Sequence, residues 1–121
     1  MKRHNFKSGE IIFHENDVSN AAFLIIEGQV EILHRRKSGD KTTVAVLERG
    51  EYFGEMGVID DKPRSATATA KGDVACMSVS KEQFMDMLLH RPEESIELLK
   101  VLFERLRKAN EKLALLEKAQ R

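Results

Sequence analysis

The chain has 121 residues, 41% hydrophobic and 33% charged, with 20 basic residues balanced by 20 acidic ones. That length supports one packed core rather than two, and the apolar fraction is that of a globular chain rather than a disordered one. Zero net charge gives no general attraction to nucleic acid or to an anionic membrane, and a single cysteine, Cys76, excludes an internal disulfide.

The N-terminus, Met1 to Asn5, leads straight into polar sequence. No apolar segment of signal-peptide type follows, and no run is long enough to span a membrane, so the cytoplasm is the expected compartment. Ile11-Ile12-Phe13, after Ser8-Gly9, predicts a short strand. Ala22 to Ile26 predicts a second, ended by Glu27-Gly28. Val30 and Ile32 alternate with Glu31, the pattern of a strand with one buried face. Ser38-Gly39-Asp40 is a hairpin signal, and the β-branched run Thr42 to Leu47 returns from it. Arg49-Gly50-Glu51 marks another turn. Ser65 to Ala70 and Val74 to Val79 predict strands separated by Lys71-Gly72-Asp73, with Cys76 as a buried, inert thiol. Short strands recurring at this spacing predict an all-β roll or sandwich over residues 1–79.

The period then changes. Ser80 followed three residues later by Gln83 is a capping box, opening a short helix from Lys81 to about Leu89. Arg91-Pro92 stops it, and Pro92 suits entry to a second helix. No Gly or Pro interrupts residues 93–118, a helix of about 39 Å at 1.5 Å per residue. The predicted fold class is mainly β with C-terminal α: a β-roll of the double-stranded β-helix or jelly-roll kind, then one short and one long helix in the range 80–121. In the long helix, Leu99, Leu102, Leu106, Ala109, Leu113 and Leu116 step by 3 and 4, which is a heptad seam. A second stripe, Ile96, Phe103 and Asn110, runs beside it. The seam is expected to meet a partner helix in a homodimer through Leu99, Leu102, Leu106, Leu113 and Leu116. The second stripe is expected to pack on the chain's own roll.

Residues 53–67 carry the chemistry. Gly54 and Gly57 flank a short apolar segment able to form one helical turn, whose free N–H groups favour an anion. Glycines there let a ligand approach the main chain. Arg64 follows the rigid Pro63, and a guanidinium suits bidentate contact with phosphate oxygens. Glu55 adds an acceptor for sugar hydroxyls. Together they ask for a ligand with one phosphate and a free ribose hydroxyl. An ordinary ion pair between Arg64 and Glu55 on a turn is the alternative, and the paired glycines with Pro63-Arg64 argue against it.

Phe53-Gly54-Glu55-Met56-Gly57, followed after residues 58–62 by Pro63-Arg64-Ser65-Ala66-Thr67, resembles the phosphate-binding cassette of cyclic-nucleotide-binding domains. That family includes regulatory subunits of cyclic-nucleotide-dependent kinases, gated channels and bacterial catabolite activator proteins. Gly9 to Asp17 resembles its first strand and turn, and Glu27 to Ile32 its Gly-x-Val hairpin entry. The resemblance implies that Glu55 accepts the ribose 2′-OH and Arg64 clamps the equatorial phosphate oxygens. It implies that Gly54, Met56, Gly57 and Ser65 offer backbone N–H groups, and that the long helix closes the base side; Asn110, one heptad on from Ile96 and Phe103, is then expected toward an adenine edge. The ligand is then cAMP or cGMP, with cAMP favoured, although Ser65 carries the hydroxyl that can meet a guanine amino group.

No catalytic set is expected. His4, His14, His34 and His90 are scattered without ligand spacing, so no metal or other cofactor is expected, and Asp60-Asp61 reads as a solvated turn. The basic cluster His34 to Lys37 reads as a hairpin tip. The activator proteins carry a helix-turn-helix after the corresponding helix, and the absence of one before Arg121 predicts no DNA contact, leaving a downstream protein partner unnamed. The leading expectation is a sensor that signals through its C-terminal helix; the alternative is a degenerate, non-binding roll acting as a dimerising interaction module.

Overall fold

The computed structural model describes residues 1–119. The chain divides into two compact units, Met1–Met85 and Asp86–Arg121. The expected 80–121 helical range therefore includes residues 120 and 121, which lie outside the described residues.

The first unit is an antiparallel sheet of six strands: β1 (Lys2–Phe6), β2 (Ile11–Phe13), β3 (Ala21–Arg35), β4 (Lys41–Leu47), β5 (Tyr52–Phe53) and β6 (Thr67–Ser80). The order is β1-β6-β3-β4, with β2 paired to β6 and β5 to β3. The short helix α1 (Glu55–Asp60) lies between β5 and β6 in the chain. This is the expected β-roll, with two differences in its strands. β1 is a strand that the polar N-terminus did not signal; only His4 and Phe6 are half-buried in it. β3 and β6 are also continuous where sequence predicted breaks. They pair from Ala21↔Ser80 to Leu33↔Thr67, with register shifts around Glu27. Gly28 sits at such a shift, and a Cβ there would collide with the Asp73 carbonyl. Glu27-Gly28 and Lys71-Gly72-Asp73 thus mark irregularities facing each other within one ribbon, not strand ends.

The core is built from Ile25, Val30, Leu47, Phe53, Ala68, Ala70, Val74 and Cys76. Alternate residues of the long strands face it, as a period of two requires. Burial at Cys76 pushes its thiol up to about 11, which fits an inert core residue. Phe13, Phe23 and Phe53 form a continuous ring cluster with centroids 5.2–5.9 Å apart. The β3–β4 hairpin closes at the expected tip, with Arg36 N–H donating to the Asp40 carbonyl at 2.7 Å.

Helix α2 (Lys81–His90) opens on the capping box. Gln83 N–H donates to Ser80 Oγ at 3.2 Å, and Ser80 N–H to Gln83 Oε1 at 3.3 Å. In the second unit, Ser95 Oγ donates to the Leu88 carbonyl at 2.6 Å, satisfying an end of α2. Helix α3 (Pro92–Ala119) starts on Pro92 and is 28 residues long. Leu98 is its buried residue. Leu99, Leu106, Leu113 and Leu116 of the seam are exposed, Leu106 at 58%. Ile96 and Phe103 of the second stripe are exposed as well.

Candidate functional site

The site grows from the junction between β5 and β6. Phe53 is fixed by pairing with Phe23 on β3 and is buried. Gly54 follows with φ of 74°, a left-handed turn that starts α1. A Cβ on Gly54 would stand 2.6 Å from Arg64 Nη1 and 3.1 Å from Phe13 Cε2, so a side chain there must displace the guanidinium. At Gly57 a Cβ would fall on Ser19 Oγ and the Lys62 carbonyl. Both glycines are thus required by close approach of the protein's own atoms. Asp61 ends α1 in the left-handed region, and Lys62 N–H donates back to Gly57 O at 3.2 Å. Asp61 itself ion-pairs with Lys81.

Arg64 is the centre of the arrangement. Its main chain is clasped by the turn after β2: Arg64 N–H donates to Asp17 O and Asn16 N–H to Arg64 O, each at 2.8 Å. Its side chain turns inward. Nη1 donates to the Gly54 carbonyl at 2.6 Å and Nη2 to the Ala21 carbonyl at 2.7 Å. The guanidinium carbon lies 4.2 Å from the centroid of the Phe13 ring and 5.7 Å from that of Phe23. Arg64 is only 5% exposed, and its Nε is buried without a hydrogen-bond partner. Burial pulls the Arg64 pKa below its usual value, opposed by the charges of Asp17 and Glu55. Glu55, in the first turn of α1, is 2% exposed. A carboxylate there is favoured by the helix dipole, and it shares a buried charge cluster with Arg64.

The structure therefore brings together Gly54, Glu55 and Arg64, as the sequence suggested, but sealed rather than lining an open edge. Gly57 is half-buried against Ser19 and the Lys62 carbonyl, Met56 and Ser65 are exposed, and Asn110 is an exposed residue of α3. Sequence reasoning missed Phe13 as an Arg64 contact, Asp17 as an acidic charge acting on it, Ser19 under Gly57, and the Ala21 carbonyl. Phe13 and Asp17 fall in the stretch that resembles the family's first strand and turn, yet nothing in their spacing ties them to Arg64. A carbonyl leaves no mark in sequence at all.

A guanidinium held in a dry cluster with an unused donor is suited to binding an anion, where a charged contact is stronger than in water. Among the described residues, no group of three or more His, Cys, Asp or Glu gathers that could hold a metal ion. No helix among them is long and apolar enough to cross a membrane.

Comparison with known proteins places the whole chain. The profile of the cyclic nucleotide-binding domain matches residues 3–91. The chain is 32% identical over 110 residues to a CRP-like cAMP-activated global transcriptional regulator of Mycobacterium tuberculosis, covering 91% of this chain and 49% of the relative. Among solved structures, the Thermus thermophilus catabolite activator protein superposes with a TM-score of 0.86 at 32% identity, over 96% of this chain and 55% of that one. The EAL enzyme Bd1971 in its cAMP-bound form gives a TM-score of 0.70 at 31% identity, over 97% of this chain and 32% of that one. Its cGMP-bound form gives 0.71 at 32% identity, over 92% and 30%. The chain spans about half the length of the curated regulator it matches. With the profile covering most of the sequence, the chain belongs to the cyclic-nucleotide-binding domain family.

Proposed function

We propose that the chain is a cyclic-nucleotide sensor, binding cAMP in preference to cGMP, acting by binding rather than catalysis, and signalling through α3. The observation that carries this reading is Arg64: a nearly enclosed cation with a buried, unpartnered Nε. Buried donors in native structures have partners, so an orphan on a charged group points to a ligand that completes it. In this reading Arg64 meets the cyclic phosphate, Glu55 accepts the ribose 2′-OH, and Gly54, Met56, Gly57 and Ser65 contribute main-chain N–H groups. Asn110 addresses the base edge. The solved relative named in both cAMP- and cGMP-bound forms supports a pocket of this kind for either base.

The exposed leucines of α3 support the homodimer through Leu99, Leu102, Leu106, Leu113 and Leu116, since a seam left at 58% exposure at Leu106 gains most by meeting a second helix. The cytoplasm is the compartment proposed, and a protein partner is proposed to receive the signal. One observation favours a second reading, a roll that dimerises without nucleotide: both Arg64 Nη groups already donate to main-chain carbonyls. Competition separates the two. A fluorescent cyclic nucleotide bound to the chain is expected to be displaced by cAMP, less readily by cGMP, and not by 5′-AMP, whose open phosphate carries a different shape and charge. Absence of saturable binding of the probe rejects the sensor and leaves the second reading.

A further inference from the structure

Arg64 is oriented by more than its two hydrogen bonds. The Phe13 ring lies under the guanidinium, with Cζ 4.2 Å from the ring centroid. Phe13 is itself held by Phe23 and Phe53, at 5.9 Å from each. Phe23 and Phe53 are paired residues of β3 and β5, so the ring stack is anchored in the sheet. Gly54 O and Ala21 O take the two Nη groups, and Nε is the donor left over. A guanidinium is planar, and an aromatic face beneath it restricts rotation of that plane while attracting its charge. An aliphatic side chain of the same size would fill the space but exert no such control.

We infer that Phe13 is a positioning residue for Arg64: its ring fixes the guanidinium plane so that the Nε edge is left to meet a phosphate oxygen. The inference rests on the cyclic-nucleotide reading above and adds a residue that its cassette does not contain. The half-buried β2 ring, rather than the cassette alone, then sets the affinity for the phosphate. The aromatic anchor also reduces the side-chain freedom Arg64 loses on binding, since the plane is already ordered in the free protein.

The experiment is a cAMP titration of the 121-residue chain carrying Phe13→Leu, Phe13→Tyr, Arg64→Leu, and Phe13→Leu with Arg64→Leu. Phe13→Leu is expected to weaken cAMP by about 3- to 10-fold, the range of one partly desolvated cation–π contact. Phe13→Tyr keeps the ring and is expected to stay within about twofold of the parent. In the Arg64→Leu background, Phe13→Leu is expected to change affinity by less than about twofold, because the two residues act as one unit. Parent-like affinity in Phe13→Leu overturns the inference. So does an equal loss in both backgrounds, which marks Phe13 as packing only, and so does failure of Phe13→Tyr to retain affinity in a folded chain. Should Phe13→Leu melt out, Phe13→Met takes its place with the same expectations. A parent chain that binds neither cAMP nor cGMP removes the sensor reading and this inference together; a binding parent with an indifferent Phe13→Leu removes the inference alone.

Discussion

Replacing Gly54 by Ala adds one methyl group at the point where main chain and Arg64 approach most closely. Two costs follow. Gly54 has φ of 74°, and a left-handed residue with a side chain costs about 1–2 kcal/mol. The new Cβ would also stand 2.6 Å from Arg64 Nη1, closer than side-chain atoms tolerate, so the guanidinium must leave the Gly54 carbonyl. Loss of one hydrogen bond from a charged group costs about 1.5–3 kcal/mol. Gly50 supplies the control: its φ is 88°, and nothing lies within 4 Å of the Cβ position. Gly50→Ala therefore carries only the backbone cost. Urea unfolding followed by circular dichroism gives both stabilities from midpoints at constant slope. Gly54→Ala is expected to be less stable than Gly50→Ala by about 1.5–3 kcal/mol, and the excess is expected to vanish when Arg64→Leu is present in both. Equal destabilisation by the two glycine variants would refute the claim that Arg64 is latched onto the Gly54 carbonyl.

Glu55→Ala is expected to weaken cAMP more than 2′-deoxy-cAMP, measured by titration of both ligands; equal losses remove Glu55 from the ribose. Cys76 is expected to resist thiol reagents in the folded chain and react readily in urea, because burial raises its thiol to about 11. The same shift makes stability full below the ordinary thiol value near 9.0 and lost as pH rises through about 11, since only the unfolded chain ionises in between. A declining urea midpoint between those limits, absent in Cys76→Ala, checks it. Leu106→Asp, placing a charge on the α3 seam, is expected to convert a dimer to a monomer in sedimentation while leaving the roll folded. An unchanged sedimentation coefficient counts against that seam.

Much of this architecture is legible in the chain because local chemistry and tertiary structure agree. Ser80 and Gln83 form the reciprocal cap that their spacing announces, and Ser38-Gly39-Asp40 tips the hairpin. Pro92 starts the long helix. The rest is set by pairing between distant segments. Glu27-Gly28 looks like a strand end, but β6 runs on past it and its register shift absorbs the glycine. Lys2 to Phe6 has little apolar content, and it is a strand because β6 offers it an edge. Cassette spacing is a local signal, so Gly54, Glu55 and Arg64 could be named together. What Arg64 touches could not: Phe13, Asp17 and Ala21 are far away in sequence, and two of its hydrogen-bond acceptors are carbonyls. The heptad pattern identifies an apolar seam on α3, yet periodicity alone does not say what covers it.

The central claim is that a cyclic nucleotide completes the buried Arg64 cluster. Isothermal titration of the chain with cAMP, beside the same titration of Arg64→Leu, tests it most directly. Removing a desolvated charged contact costs roughly 2–5 kcal/mol, which corresponds to a loss of about 30-fold or more. The expected result is saturable heat at one nucleotide per chain in the parent and affinity at least about 30-fold weaker in the variant. Equal affinity in the two proteins, or no binding heat in the parent, would contradict it.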